Sequence, residues 1–380
     1  MASILDTQTG SRIPRDRIVE YLRGRIVAGA FMPGARLPTL TELERLIGAS
    51  RTTLQASIDV LRAQGFVVPQ GRRGTFVHPA PPHLCHFGLV FSYRHGAPRW
   101  LQFHKSWEAE ARLMEAESKG GSSERRFTPY YDAETSASSA SHAALVSAVE
   151  SQQHAGLIIM DQPFGLMGSP PMTAPSLPRV VVTTDRIPGC TILHIDKASL
   201  LIKALDHLAA RGRRRVAFVI GEQPWVLASE TLSMVLPLVE ARGMETRRYW
   251  VLGAGFDSMS WAAHSVELLM HCSRSDRPDA LIITDDNLVP DATRALAESA
   301  VDVPGELEVV AQANAPYPTP SAVPAARLSY DVRWMLKTSV GIIERKLRGE
   351  QVPDEIEVRP RFDDEPPTAE SCSFESSIDA

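Results

Sequence analysis

The sequence predicts an α/β protein in which an N-terminal winged helix-turn-helix precedes a two-lobed domain built on doubly wound parallel sheets. Three observations predict this fold class. A helix, a glycine-containing turn and another helix are followed by a hairpin within the first 78 residues. Continuous apolar strands then alternate with helices, which is typical of parallel sheets covered on both faces. These units are too many for one compact sheet, so we expect two lobes with a ligand cleft at the carboxyl ends of their strands.

The composition is that of an ordinary globular protein. The chain has 380 residues, of which 44% are hydrophobic and 22% are charged, and this length fits two or three domains. The four cysteines show no paired spacing, which argues against a disulfide framework and a metal site. We find no signal sequence and no apolar run of about 20 residues, so we expect a cytoplasmic protein without a membrane partner.

The net charge of −5 is unevenly distributed. Residues 1–78 contain 11 arginines, no lysine and 6 acidic residues, so this segment carries +5 and the remainder carries −10. A small basic segment on an acidic body is the pattern expected when only that segment meets a polyanion. The charge distribution therefore indicates nucleic-acid binding by the N-terminal segment.

We divide the chain into four parts. Residues 11–78 form the head, 79–85 a stiff proline-rich linker, 86–363 the two-lobed body, and 364–380 a tail expected to be disordered. In the head, helices are predicted over 14–28, after Pro38 and over 51–64, with Thr39 or Thr41 and then Ser50 as N-caps. The buried stripe of the second helix is predicted to be Leu43, Leu46 and Ile47.

The third helix and the hairpin carry the side chains expected to meet DNA. In a helix-turn-helix the second helix of the pair enters the major groove with its N-terminal residues toward the bases. Arg51, Thr52 and Gln55 lie there and face outward. The hairpin joins strands predicted over 66–68 and 75–77, and its tip brings Arg72 and Arg73 to phosphates or to the minor groove.

These motifs give the head a specific resemblance. The run from Gly34 to Pro38, the segment 50–54 beginning Ser-Arg-Thr-Thr, and the pattern Gly71-x-x-Gly74-Thr-Phe-Val resemble the winged helix of GntR-type bacterial transcription regulators. The resemblance implies a double-stranded DNA operator as partner. It assigns DNA contacts to Arg36, Thr39, Ser50, Arg51, Thr52, Thr53, Gln55, Gly71, Arg72, Arg73 and Gly74. Because Gln55 stands where the family has arginine, and Leu40 and Thr41 where it has Glu-Arg, the family's usual operator does not transfer to this chain.

The body is predicted as alternating strands and helices. Strands are predicted over 87–91, 127–131, 156–160, 179–183, 216–220, 250–252, 280–283 and 307–311. Segments such as 207–221, Asp285-Asp286 and 303–306 resemble the effector domain of LacI/GalR-type regulators, which has a type-I periplasmic-binding-protein fold. The combination is similar to arabinose-responsive repressors, and it implies a small-molecule effector, of sugar type, held between the lobes.

The second resemblance, together with positions that follow predicted strands, suggests effector-binding residues. They are Tyr93, Asp132, Asp161, Arg186, Trp225, Glu230, Asp286 and Asn314. Glu230 stands where the family often has arginine, and Ala313 where it often has aspartate, so the effector is expected to differ from the family's usual sugars or to have been lost.

The function predicted from the sequence is that of a sequence-specific DNA-binding repressor acting as a homodimer. No catalytic motif lies in its required strand and helix context, so we expect no enzyme and no cofactor. Two alternatives stay open. The body could serve dimerisation alone in a ligand-independent regulator, or the chain could be a soluble carbohydrate-binding protein or carbohydrate enzyme with a vestigial head.

Overall fold

The computed structural model describes residues 13–120, 124–133, 139–221, 232–255 and 260–366. Three sheets organise the chain: a two-stranded hairpin in the head and two six-stranded sheets in the body. The α/β fold class, with an N-terminal winged helix-turn-helix and two parallel-sheet lobes, is confirmed. Among the helices in the described ranges, none has both the length and the apolarity that a bilayer crossing requires.

The head packs three helices and a hairpin around one apolar core. Its elements are α1 (Arg15–Val27), α2 (Leu40–Ile47), α3 (Arg51–Ala63), β1 (Val67–Pro69) and β2 (Thr75–Val77). Ile18 and Leu22 of α1, Leu43 of α2 and Leu54 and Leu61 of α3 are fully buried together. The prediction that Leu46 belongs to the buried stripe was wrong, because its side chain lies on the outer side of α2 and is 38% exposed.

The hairpin has the glycine-dependent turn that the sequence predicted. Strands β1 and β2 are antiparallel, with Val67 opposite Val77 and Pro69 opposite Thr75. Gly71 and Gly74 bracket the turn with φ of 56° and 107°, a backbone region that residues with a Cβ seldom adopt. The turn therefore projects Arg72 and Arg73, which are exposed, away from the head.

The connection between head and body is packed against the head. Pro82–Cys85 forms a single helical turn, α4, in which Pro82, His83 and Cys85 are buried. The His83 ring stacks on Phe66 of the head at a centroid distance of 5.8 Å. The prediction of a stiff linker over 79–85 thus has to be refined, because apolar and aromatic contacts, as well as proline, hold this segment in place.

The first lobe contains β3 to β7 and β13. Its strands are β3 (His86–Val90), β4 (Arg126–Tyr130), β5 (Gly156–Met160), β6 (Arg179–Thr183), β7 (Thr191–Ile195) and β13 (Glu355–Val358). They pair in the order β13-β7-β6-β5-β3-β4, and every pair is parallel. Its other helices are α5 (Gln102–Ser118), α6 (Ala140–Glu150), α7 (Pro170–Thr173) and α12 (Val332–Leu347).

The second lobe contains β8 to β12 and β14. Its strands are β8 (Val216–Ile220), β9 (Val251–Gly253), β10 (Ala280–Ile283), β11 (Glu308–Ala315), β12 (Ala326–Asp331) and β14 (Arg361–Phe362). They pair in the order β14-β12-β11-β10-β8-β9, and only the short β14 runs antiparallel to its neighbour among these described strands. Its helices are α8 (Lys197–Ala210), α9 (Leu232–Glu240), α10 (Trp261–Met270) and α11 (Val289–Glu298).

The chain crosses between the lobes at three neighbouring points, which we call the hinge: 195–197, 331–332 and 359–360. Asp196 and Asp331 are N-caps of the helices that begin there, each accepting a hydrogen bond of 2.9 Å from a backbone N–H. The Tyr330 hydroxyl donates to the Asp196 carbonyl at 3.0 Å, and the Asp196 N–H donates to the Val358 carbonyl at 3.1 Å. These bonds hold the three crossings side by side.

The sequence analysis missed most of the elements at the hinge. Strands β7, β12, β13 and β14 and helix α12 were not predicted. Strands β5, β6, β8 and β10 have the predicted bounds, and α8 is the helix that the sequence predicts from Lys197 to Ala210. The predicted disorder of the tail concerns residues that lie outside the described ranges, apart from 364–366.

We predict that Gly156→Ala destabilises the body. Helix α12 lies so close to β5 that a Cβ at Gly156 would be 2.7 Å from Cγ2 of Ile343. Overpacking of this kind costs about 1–3 kcal/mol. In calorimetry of the full chain, the midpoint of the thermal transition in which the body unfolds should therefore decrease. Gly24→Ala in the head is the control, since a Cβ there has no atom within 4 Å; equal midpoints for the two variants would contradict the prediction.

Candidate functional site

Two sites are built by this fold: a basic surface on the head and a cleft in the body. On the head, the N-termini of α2 and α3 carry polar caps. Ser50 Oγ accepts from the Thr53 N–H at 3.3 Å, and the Ser50 and Thr53 hydroxyls are 2.8 Å apart. Arg51 and Thr52 follow this cap and are exposed. The start of α3 thus presents a cation and a hydroxyl beside the positive end of a helix dipole, an arrangement that attracts phosphate.

The N-terminus of α2 has a full capping box. Thr39 Oγ1 accepts from the Glu42 N–H at 3.3 Å, and the Glu42 carboxylate accepts from the Thr39 N–H at 2.7 Å. The Thr39 N–H and the Thr39 hydroxyl both donate to the Glu42 carboxylate, and these two bonds, with smaller contributions from Arg36 and Arg45, lower the pKa of Glu42. The N–H and hydroxyl of Thr39 are therefore engaged in capping α2, and the residue is exposed on the surface that is predicted to contact DNA.

The remaining predicted DNA contacts lie at the wing and along α3. Arg36 forms an isolated bridge with Phe76 of β2, and its guanidinium lies against Gly74, so it belongs to the same surface as the wing arginines. Gln55 is exposed, and its side-chain amide donates to Asp59 at 3.2 Å. The structure thus places all eleven predicted DNA contacts at the two helix N-termini, along the outer face of α3 or on the wing.

The cleft lies where the carboxyl ends of the two parallel sheets face each other. It is a cavity of about 780 Å³. Its polar lining follows the strand ends: Ser92, Tyr93, Asp161, Thr183, Thr184, Asp285, Asp286, Gln312 and Asn314. Tyr93, Phe103, Phe164 and Tyr330 add aromatic surface, and Leu200, Leu201 and Ile220 add aliphatic surface. Such a mixture suits a small polar molecule that also has an apolar face.

Asp286, on the second-lobe side of the cleft, is held by hydrogen bonds. One carboxylate oxygen accepts from Asn314 Nδ2 at 2.8 Å, the other accepts from Asn287 Nδ2 at 3.1 Å, and the Asp286 N–H donates to Gln312 Oε1 at 2.8 Å. Burial, and next the neighbouring Asp285, raise the pKa of Asp286 to about 7. Burial also raises the pKa of Asp285. Asp285 and Asp286, which we call the acid pair, therefore form an oriented hydrogen-bonding group, in a cavity that Arg99 and Lys197 also line.

The first-lobe side of the cleft carries His104 and Asp161. His104 is 2% exposed, and its Nδ1 accepts from the Leu101 N–H at 3.2 Å. In the neutral ring the proton must then lie on Nε2, which is 3.2 Å from Asp161 Oδ2 and donates to it. Asp161 has a φ of 67°, a strained value for a residue other than glycine. The histidine thus orients a carboxylate whose side chain is still 44% exposed.

The predicted effector residues divide into three groups. Tyr93, Asp161, Asp286 and Asn314 line the cavity. Asp132 and Arg186 are absent from its described lining: Asp132 pairs with Arg94 at 3.6 Å, and Arg186 is 86% exposed and pairs with Glu355 at 2.7 Å. Trp225 and Glu230 lie outside the described residues.

Several lining residues were missed by the sequence analysis. His104 lies in the first turn of α5 rather than after a strand, and Asn287, although it directly follows Asp286, was not predicted. Gln312 lies inside β11, which is longer than predicted, and its alternation with the buried Ala311 and Ala313 is the signal that was overlooked. Among the described residues, no group of three or more His, Cys, Asp or Glu could hold a metal ion.

Comparisons with known protein families agree with this division of the chain. The model for bacterial regulatory proteins of the gntR family matches residues 14–77, and the model for periplasmic binding protein-like domains matches residues 205–363. The HTH-type transcriptional regulator YieP of Escherichia coli K12 is 40% identical over 62 residues. Those residues are 16% of this chain and 27% of YieP, so this relative resembles the head alone.

The solved structures that resemble the chain share the fold of the body. A LacI family regulator from Lactobacillus casei with bound glucose has a TM-score of 0.52 at 19% identity, covering 73% of this chain and 97% of that protein. A LacI family regulatory protein from Chloroflexus aggregans reaches 0.56 at 13% identity, with 73% and 96% covered. The complex of the regulator CelR with cellobiose scores 0.53 at 20% identity, with 86% and 98% covered. The chain thus joins a GntR-family helix-turn-helix domain to a periplasmic-binding-protein-like domain.

We predict that the acid pair makes body stability depend on pH. With a pKa of about 7 in the folded chain against 3.8 for a free side chain, Asp286 keeps a proton between about pH 4 and 7 that the unfolded chain has lost. The free energy of unfolding therefore falls as the pH rises through this window, by an amount on the order of a few kcal/mol.

Asp286→Asn cannot ionise, so it lacks this loss of stability. Its unfolding midpoint, relative to that of the unmodified chain, should increase from pH 5 to pH 8 in thermal scans. The control is Asp291→Asn, which changes a surface carboxylate of α11 and should show no such trend. Parallel pH profiles for Asp286→Asn and the unmodified chain would show that Asp286 does not carry the raised pKa.

Proposed function

We propose that this chain is a transcription regulator, a repressor that binds a DNA operator with its head and a sugar-related effector with its body. The observation that carries the proposal is the exposed basic surface formed by the N-terminus of α3 and the wing. Within the described part of the chain, no ion pair engages the guanidinium groups of Arg51, Arg72 or Arg73, so these cations are available to phosphates. The match of the head to a family of bacterial regulators supports the same conclusion.

The cleft supports a sugar-related effector. Asp286, Asn314 and Gln312 offer oriented acceptors and donors for hydroxyl groups, and Tyr93 and Phe164 offer surfaces for a sugar ring. Structures with the same fold are described with glucose and with cellobiose bound.

We further propose that the active species is a homodimer in the cytoplasm. A two-fold operator requires two heads, and a symmetric dimer supplies them. Trp261 and Leu268 on α10 are 57% and 67% exposed and lie seven residues apart, on one face of the helix. A second copy of the chain would cover this apolar face. The proposed domain limits are those of the sequence analysis: a head at 11–78 and a body at 86–363.

Arginine substitutions test DNA binding. The probe is the duplex upstream of the chain's own gene, located by footprinting. Arg51→Ala and Arg72→Ala should each weaken binding by about 1–3 kcal/mol and reduce the dependence of log Kd on log salt by about one unit for each lost phosphate contact. Arg62→Ala is the matched control, because Arg62 lies at the other end of α3 and pairs with Asp59. Unchanged affinity and salt slope in Arg51→Ala would exclude α3 as the recognition helix.

Thermal unfolding of the full chain with increasing glucose or cellobiose tests effector binding. A cleft ligand should raise the midpoint in proportion to the logarithm of its concentration above Kd. Asp286→Ala should abolish the rise, whereas Arg186→Ala, which alters a residue outside the cavity lining, should retain it. If no neutral sugar raises the midpoint, the body is better explained as a dimerisation scaffold in a ligand-independent regulator.

A further inference from the structure

We propose that the side-chain amide of Asn287 links the lobes, by joining the acid pair to the N-terminus of α5. Asn287 follows the acid pair in the second lobe, and α5 belongs to the first. Asn287 Oδ1 accepts from the Gln102 N–H at 2.8 Å, and Asn287 Nδ2 donates to Asp285 Oδ1 at 2.8 Å and to Asp286 Oδ1 at 3.1 Å. One amide therefore contacts both cleft carboxylates and the opposite lobe.

The hydrogen bond to Gln102 uses a donor that α5 cannot satisfy by itself. The first N–H groups of a helix have no partner within the helix. At the start of α5, the Leu101 N–H is satisfied within the lobe by His104 Nδ1, whereas the Gln102 N–H is satisfied across the cleft by Asn287. Separating the lobes at this point would leave a partly buried donor unpaired, so the bond favours the observed lobe arrangement.

One further contact connects α5 to the second lobe, and another connects it to α12 beside the hinge. Gln102 Nε2 donates to the Tyr317 carbonyl at 3.2 Å, on the loop that follows β11. Two turns farther along α5, the Glu110 carboxylate is 3% exposed and is held by the Arg333 guanidinium at 3.1 Å. Arg333 lies in the first turn of α12, beside the hinge. These contacts therefore hold one side of α5 close to the hinge.

The far end of α5 leads toward the head. With 17 residues, the helix is about 25 Å long. Arg125 and Arg126 follow soon after it, and Arg125 pairs with Glu344 of α12 at 3.0 Å. Glu124 and Arg126 line a small cavity together with Gly65 and His78 of the head. The last residue of α5 is bonded to this region, since Ser118 Oγ accepts from the Arg125 N–H at 2.9 Å, between the two junction residues Glu124 and Arg126.

The regulatory meaning of the link rests on the proposed function. An effector hydroxyl that donates to Asp286 Oδ1 competes with Asn287 Nδ2 for the same oxygen. Displacement of the Asn287 amide alters its hydrogen bond to the Gln102 N–H. Effector binding in the cleft therefore affects α5 through the side chain of Asn287. The test below uses neither effector nor DNA, so its failure is distinguishable from failure of the proposed function.

A pair of substitutions at one position isolates the link. Gln102→Pro removes the N–H at the first position of α5, where proline is tolerated, and Leu101 has the extended backbone that a following proline requires (φ −77°, ψ 167°). Gln102→Ala keeps the N–H and removes the side-chain amide, as the proline variant also does. The difference between the two variants therefore reports the bond to Asn287.

Residue-resolved hydrogen exchange of the full ligand-free chain is the measurement. In Gln102→Pro, the amides of Asp286, Asn287 and Leu288 should exchange about fivefold faster than in Gln102→Ala, as expected for loss of one partly buried hydrogen bond. Asn287→Ala should accelerate exchange of the Gln102 amide to a similar extent. Equal exchange at 286–288 in the two Gln102 variants, or an unchanged Gln102 amide in Asn287→Ala, would overturn the proposal.

Discussion

The constraint on which the rest of the structure depends is the hinge, where the chain passes three times between the lobes. Asp196 and Asp331 each begin a helix there, and Arg361 donates to the second Asp331 oxygen at 3.0 Å. Because the crossings are bonded to one another, the two sheets can rotate about them but cannot separate. The carboxyl ends of both sheets are thereby kept face to face, and the polar residues at those ends share one cavity.

The electrostatics of the cavity follow from that geometry. Asp285 and Asp286 are adjacent in the chain, so β10 delivers two carboxyl groups to one buried place, and both pKa values rise because neither charge is solvated. Asparagine and glutamine amides surround Asp286, and the direct hydrogen bonds to its carboxylate come from Asn287 and Asn314. A ligand that donates hydroxyl protons completes this arrangement around Asp286, and Arg99 and Lys197 line the same cavity.

The sequence predicted what local patterns encode and missed what long-range contacts decide. The capped helices of the head and the apolar strands β5, β6, β8 and β10 carry their own signals: Ser50 before α3, glycines at the wing, and uninterrupted runs of valine and isoleucine. Strand β12 and helix α12 carry mixed signals, because both contain buried polar residues, such as Ser329 and Thr338, among their apolar ones. Asp286 and Asn314 were predicted from their places near strand ends and from the family resemblance. His104, in the first turn of α5, and Asn287, whose role depends on its contact with the opposite lobe, were not. Arg186 was chosen for its place after β6, and only the course of the following chain takes it to the surface.

Among the described elements, α5 has the contacts expected of a part that relates the cleft to the head. Its first turn contributes Gln102 to the link across the cleft and His104 to the cavity wall, its middle is held by Arg333 beside the hinge, and its end leads to the residues that adjoin Gly65 and His78. The connection that follows the head is packed against it through the stacked rings of Phe66 and His83. A shift of α5 would therefore act on a packed junction, where a small displacement changes which contacts are made. A ligand-controlled regulator needs two arrangements that differ both at the cleft and at the head. Helix α5 belongs to the first lobe, is hydrogen-bonded to the second lobe and ends near the head junction, so it can relate the two sites without another element.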